Sequence, residues 1–461
     1  MIGLSSRLAL SRIKTNRSGL DVLAVIAFAV TTLLALVVAN GTAMFVDRWH
    51  NPPEALQAII DSSPYDFNTA EDISSMYVTF AIIACAILVV PILSLGAGAA
   101  RLGATGRAKR LASLRLIGMT GGEVVLMSVI ETLVLTLVGS VLGVALFALT
   151  LPLWQFVSFH GAYLSPGEMV GPWWLTLAMI GVILLLSALS TTLGLSRVVI
   201  SPLGVAKRET PKALQFWRVI VFFLAVTVFI IAVQSFDLLK SNMLSFLVIG
   251  GLIALVLFTV SLVGPMLIQL VARPLVRTSN PASLLAARRL IAQPRDAWRN
   301  VGGLAFIGFI AAFTVGLPHV PDDPIFNLQI RDVATGIFLT LAIGMLVAAT
   351  STLINQAAFT VDRAEQTVAL TRMGTPRSVF AGARYRQVLL PLLTTLGVSV
   401  PLGLLVGNML VMSAQGDLVS MNNGLFLVVV IAIGITTCLL AAGASRPIET
   451  RILTTDYRRN D

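Results

Sequence analysis

Residues 124–151 read VVLMSVIETLVLTLVGSVLGVALFALTL, an apolar run interrupted by a single ionisable side chain, Glu131. A helix needs about 20 apolar residues to cross the hydrocarbon core of a bilayer, so this stretch is long enough to span one. Working outward from it, nine further charge-free windows of similar character appear, at 22–46, 76–99, 173–195, 219–236, 243–271, 301–317, 333–354, 388–412 and 425–442. The window at 301–317 is the shortest. Composition agrees with the windows. Of 461 residues, 56% are hydrophobic and only 12% charged, with a mean hydropathy of +0.90, more apolar surface than soluble cores hide. The expected fold class is an all-α polytopic membrane protein of ten transmembrane helices.

Charge gives the orientation, because Lys and Arg are retained on the cytoplasmic side of short loops. With the N-terminus inside, 29 of the 32 basic residues fall in cytoplasmic segments, and only Arg48, Lys240 and Arg331 fall outside. Acidic residues divide the other way, 12 outside and nine inside, with Glu131 in the membrane. The net charge of +10 therefore reflects topology, and nucleic acid is excluded as a partner. Both termini are expected in the cytoplasm. The basic start (Arg7, Arg12, Lys14, Arg17) precedes an apolar stretch too long for a signal peptide, so it reads as an uncleaved first span.

Several chemistries lack their residues. Cys85 and Cys438 both lie inside apolar windows, which supports neither a disulfide framework nor a thiolate metal site. His50, His160 and His319 are scattered singly in outer loops. Such histidines are expected to be solvent-exposed, and metal ligation is not assigned to them. The acidic first outer loop (Asp47, Glu54, Asp61, Asp66, Glu71, Asp72) is expected to be a solvated surface. A phosphate-binding Walker loop needs glycine directly before its lysine. None of the five lysines follows a glycine, so no P-loop ATPase is read in this chain.

The chain repeats itself. Leu114-Arg-Leu-Ile-Gly-Met-Thr120 and Leu370-Thr-Arg-Met-Gly-Thr-Pro376 stand 256 residues apart, each in a cytoplasmic segment before a long window carrying G-x-x-x-G. Those glycines are Gly139 and Gly143 in the first copy and Gly403 and Gly407 in the second, and small residues at this spacing let helix backbones approach closely in lipid. Their offset is 264, so the match slips inside the membrane. A second echo joins the Ser5 to Arg17 stretch to Asn280-Pro-Ala-Ser-Leu-Leu-Ala-Ala-Arg-Arg-Leu290. There Asn280 can cap and Pro281 fits the first helical position, predicting a short helix with Arg288 and Arg289 on the cytoplasmic leaflet. The spans then group as 4+2+4: residues 1–210 as a first four-span unit, 211–275 as two linking spans, and 276–461 as a second unit parallel to the first.

These residues suggest a family. The run Arg110-Leu-Ala-Ser-Leu-Arg-Leu-Ile-Gly-Met-Thr-Gly-Gly-Glu123 resembles the cytoplasmic signature of FtsX-like permeases of ABC transporters, the superfamily of the MacB and BceB types. The second copy, Glu365-Gln-Thr-Val-Ala-Leu-Thr-Arg-Met-Gly-Thr-Pro376, is similar, as is Arg197-Val-Val-Ile-Ser-Pro-Leu-Gly-Val-Ala-Lys-Arg208 at the end of the first unit. The layout is most like the ten-span branch with two FtsX repeats in one chain. It departs in having no large extracellular domain: only residues 318–332 lie between spans seven and eight, and 47–75 after the first span.

The resemblance implies a bacterial cell-membrane permease subunit that is not itself an enzyme. It implies a separate cytoplasmic ATPase, in two copies per permease, which binds the ATP and magnesium, so that no cofactor is expected in this chain. Membrane lipids are the other expected partner. ATPase coupling would fall to Arg107, Arg110, Leu111, Leu114, Arg115 and Gly118 in the first copy and to Glu365, Val368, Leu370, Arg372 and Gly374 in the second. Gly118 and Gly374 are placed to end short helices, where a left-handed residue is common. Glu131 and its 256-offset counterpart Gln387 are the intramembrane polar pair, with Glu131 expected to hydrogen-bond between helices. Two alternatives stay open: a mechanotransmission protein acting on an extracytoplasmic partner, and an ion-coupled secondary transporter.

Overall fold

The computed structural model describes residues 19–61, 69–105, 120–200, 217–235, 243–315, 324–413, 421–447 and 450. Among them run thirteen α-helices: α1 (Gly19–His50), α2 (Glu54–Asp61), α3 (Ala70–Thr105), α4 (Gly121–Thr150), α5 (Trp173–Ile200), α6 (Trp217–Ser235), α7 (Met243–Leu275), α8 (Pro281–Ala292), α9 (Pro294–Val315), α10 (Pro324–Asp362), α11 (Ala364–Arg372), α12 (Arg377–Ser413) and α13 (Met421–Gly443). Among the described residues six helices are long and apolar enough to cross a membrane, with those stretches at 20–50, 121–156, 173–194, 254–275, 327–361 and 377–408. Large apolar side chains cover their outward faces, among them Leu137, Val141 and Leu149 on α4 and Leu185 and Leu193 on α5. In water such contiguous patches would aggregate; in lipid they are the solvent-facing surface.

Every apolar window of the sequence lies almost wholly within one of these helices, and α1, α3, α10, α12 and α13 run past theirs at both ends. Charge marks where a segment leaves hydrocarbon, whereas the backbone stays helical until something ends it. α4 begins at a capping box: the Thr120 hydroxyl accepts from the Glu123 N–H, and the Thr120 N–H donates to the Glu123 carboxylate at 3.0 Å. That arrangement satisfies two of the donors left over at a helix start.

Two sets of four helices share one pattern of packing. α1 packs against α3, α4 and α5, and α5 also against α3 and α4; likewise α9 packs against α10, α12 and α13, and α13 also against α10 and α12. α6 and α7 pair with each other and lie against the second set. The sets meet where α3 crosses α10. There Leu88 and Ile92 of α3, Ile343 and Val347 of α10, and Leu34 of α1 form one buried cluster. Below it, Leu95, Ala99 and Ala100 share another cluster with Ile354 and Ala357.

The departure from an all-α fold is a small hairpin after α4. A 3₁₀ turn over Leu151–Phe156 leads into β1 (Ser158–Phe159), which pairs antiparallel with β2 (Ala162–Tyr163). The two connecting residues, His160 (φ +56°) and Gly161 (φ +74°), are both left-handed, as the tight turns that suit twisted hairpins require. Glycine adopts this conformation freely, and histidine is among the residues enriched there.

Candidate functional site

The second of the two segments expected to couple is α11, nine residues set between α10 and α12. It ends as its sequence predicts. Gly374 has φ +87°, its N–H donates to Thr371 O at 3.0 Å, and the Thr375 N–H donates to Leu370 O at 3.1 Å. This pair of bonds is the Schellman ending, which satisfies carbonyls that the helix leaves open. Pro376 then blocks continuation. Val368 is buried, Leu370 half-buried, and Arg372, Met373 and Gly374 form an exposed tip. Met373, 73% exposed, is an apolar side chain at that tip which the sequence reading did not single out. Glu365 lies in the first turn of α11. The first segment expected to couple, with Arg107, Arg110, Leu111, Leu114, Arg115 and Gly118, lies outside the described residues.

The predicted helix at Asn280 is α8. The Asn280 Oδ1 accepts from the Ala282 N–H at 3.0 Å and the Ser283 N–H at 3.4 Å, and Pro281 occupies the first helical position. The expectation is of a helix on the cytoplasmic leaflet; α8 is docked on protein. Ala282, Ala286, Ala287 and Leu290 are buried against α7 and α12. Arg386 of α12 donates to Asn280 at 3.2 Å, and Arg363 donates to Gln293, just past the α8 end, at 2.6 Å. Arg288 is exposed but Arg289 is not. Burial, with the charge of Arg363 beside it, pulls the Arg289 pKa down to about 10.

The G-x-x-x-G glycines lie at helix crossings. A Cβ on Gly139 would stand 2.5 Å from the Phe28 Cβ, and one on Gly143 2.6 Å from the Ala29 carbonyl oxygen. The seam between α1 and α4 is otherwise lined by small hydroxyls: Thr132 and Thr136 donate to carbonyls one turn back, and Thr32 donates to Ser140 at 3.2 Å across the helices. Gly403 repeats the arrangement on α9, where an added Cβ would meet the Phe309 carbonyl oxygen and stand 2.8 Å from the Ala312 Cβ; Gly407 is also buried. Glu131 and Gln387 are both buried. Each is the eleventh residue of its helix, α4 and α12.

A polar cluster that sequence reasoning missed sits around the hairpin. His160 is not a solvated loop residue: it is fully buried, because its left-handed backbone turns the ring inward. Its centroid lies 4.0 Å from that of Tyr77 and 6.0 Å from that of Phe45. Arg48, also buried, donates through Nη1 to Phe159 O at 2.6 Å and through Nε to Glu168 at 2.7 Å. The Glu168 carboxylate accepts as well from the Ser165 N–H and hydroxyl. Partial burial would raise its pKa, but these bonds from Arg48 and Ser165 outweigh that and hold it below the ordinary value. Asp332 accepts from the His160 N–H at 2.7 Å and from the Tyr77 hydroxyl at 2.9 Å. It lies in the third turn of α10 and is buried, not in an outer loop. In contrast, Asp47, Glu54, Asp61, Glu71 and Asp72 are exposed as expected, and so is His50. Asp66 and His319 lie outside the described residues.

No group of three or more metal-ligating side chains of His, Cys, Asp and Glu occurs among the described residues. Residues 95–203, from within α3 through α4, the hairpin and α5, match the FtsX-like permease C-terminal family. Members of that family are non-catalytic membrane components of ABC-type transporters and work with a cytoplasmic ATPase. The chain thus carries an FtsX-like permease region in a multi-pass membrane protein. No curated protein matches the chain.

Proposed function

Proceeding from the FtsX-like region at 95–203, we propose that this chain is a ten-span permease subunit of an ABC transporter, built from two parallel four-span units and two linking spans. The family match carries the reading. It is supported by the shared packing pattern of the two helix sets and by the asymmetric distribution of Lys and Arg. With both termini cytoplasmic, α11 and the 107–118 segment face the cytoplasm as paired docking sites for two ATPase copies.

α11 suits that task physically. It is a short helix with an exposed tip, fixed at one end to α10 and, through the two residues after Gly374, to α12. A push on such a tip cannot be absorbed by the helix itself, so it is passed to the two long helices. α10 lies directly against α3 of the first set, and closure of an ATPase dimer would change the crossing of the two sets. The work done would be export or extraction of an amphipathic or lipid-like molecule, which can enter between helices from the bilayer.

The test is co-purification from native membranes at matched expression, comparing the unaltered chain with Leu114→Asp plus Leu370→Asp. An ATPase should accompany the former and be lost from the latter. Recovery of no ATPase with the unaltered chain would overturn the permease reading.

A further inference from the structure

In the hairpin cluster three separate segments converge on one carboxylate. Tyr77 stands on α3 and Asp332 on α10, the helices through which the two sets meet, and the His160 N–H comes from the hairpin of the first set. One carboxylate oxygen therefore ties both helices and the hairpin together. The ring of His160 is shut in by Tyr77 and Phe45, and neither ring nitrogen has a hydrogen-bond partner among the described residues. A neutral imidazole loses water by occupying this place. An imidazolium would lose far more, since a buried charge needs a partner.

We propose that the His160 hairpin is a proton-released clasp: with the imidazole neutral it holds the adjacent ends of α3 and α10 together through Asp332, and protonation of His160 expels the ring and lets those ends part. The groups that face it are Arg48 from α1, Tyr77 from α3 and Asp332 from α10, with Glu168 on the far side of Arg48. From α2, Ile59 and Ala55 lie over Gly161. Burial first, and the Arg48 charge second, pull the His160 pKa from its ordinary 6.5 to about 4. The clasped state thus binds fewer protons than the released one, and its stability is complete above about pH 6.5 and lost as the pH falls towards 4. The proposal does not depend on which side of the membrane the hairpin occupies, nor on an ATPase.

The experiment uses the full chain in lipid nanodiscs, with Cys85→Ser and Cys438→Ser, and spin labels on Glu71→Cys and Gln329→Cys near the starts of α3 and α10. Distance distributions are recorded from pH 8 to pH 5. The ratio of separated to closed populations should rise on the order of 30-fold across that range, the change that those two pKa values imply. Tyr77→Phe removes one of the two bonds to Asp332, so it should raise the separated fraction at every pH and bring it into measurable range. His160→Asn keeps a residue that tolerates a left-handed backbone and should abolish the pH response, with His160→Gln as the substitute if the asparagine variant does not accumulate. Distances unchanged by pH in both the wild type and Tyr77→Phe would overturn the clasp. So would a response of full size surviving in the His160 variants.

Discussion

Gly139 sits where even a methyl group has no room, with the Phe28 Cβ at 2.5 Å and the Val25 carbonyl oxygen at 2.9 Å from an added Cβ. Backbone atoms cannot rotate aside as a long side chain can, so α1 and α4 must separate to admit it. Gly139→Ala should therefore destabilise the protein by about 1–3 kcal/mol, read as a lower midpoint of unfolding in detergent. Gly181→Ala on α5, where nothing lies within 4 Å, is the control and should leave the midpoint unchanged or raised. At Arg48 the issue is charge. Its side chain is 5% exposed and paired with Glu168, and removing one partner of a buried pair leaves the other uncompensated. Glu168→Gln should cost about 2 kcal/mol or more at neutral pH. The Glu168 pKa is depressed in the folded protein, so the stability that its charge confers is present above the ordinary carboxylate pKa, about 4.3, and is lost as pH falls through the lower folded value. The Glu168→Gln variant should therefore show a smaller loss of stability on acidification than the wild type, measured as unfolding midpoints from pH 7 to pH 3.

At the scale of elements, α11 depends on how it stops. Gly374 has φ +87° and open space around its Cα, so an added Cβ meets no neighbour and any cost is backbone strain alone. Gly374→Ala should loosen the end of α11 by about 1 kcal/mol, seen as faster amide exchange over 364–376, and Gly374→Asn should do so less. This ending was legible in the sequence, as were α8 with its Asn280 cap and the long apolar helices, because each rests on residues adjacent in the chain. The slip between the repeats also has an element-scale cause. Gly403 stands 16 residues after Gln387 whereas Gly139 stands eight after Glu131, so the second copy gains eight residues, a little over two helical turns, between the polar position and the first glycine. Gly139, Gly143 and Gly403 nonetheless each meet the first helix of their set. The hairpin was not legible: its strands are two residues each, too short for alternation to show, and only the His-Gly pair marks the turn. The cluster around it was less so. Its partners stand 111 to 255 residues apart, and nothing local in sequence brings Arg48 to Glu168 or Tyr77 to Asp332.

Across the whole molecule the internal duplication becomes a statement about register. Tyr77 and Asp332 are 255 residues apart, and the same separation relates Leu88 to Ile343, Ile92 to Val347, and Ala99 to Ile354, each pair sharing a buried cluster. α3 and α10 thus run parallel and meet at matching heights, one from each four-helix set, as two copies related by an approximate twofold axis would. Such a seam is a natural place for relative motion, since rotating one set against the other shifts every matched pair together. It also makes a thermodynamic prediction. Residues in direct packing couple, whereas distant ones add independently. Leu88→Ala and Ile343→Ala should each cost about 2–5 kcal/mol at most, and the double variant should depart from additivity by at least about 0.5 kcal/mol. Leu88→Ala combined with Leu427→Ala, which lies in the core of the second set away from the seam, should be additive. The measurement is a double-mutant cycle on unfolding in detergent micelles. Equal coupling in both cycles would mean that the two sets unfold as one undivided core. Coupling confined to the matched pair would mean that height along the α3–α10 seam, where residues 255 apart stand level, governs which residues of the two halves sense each other.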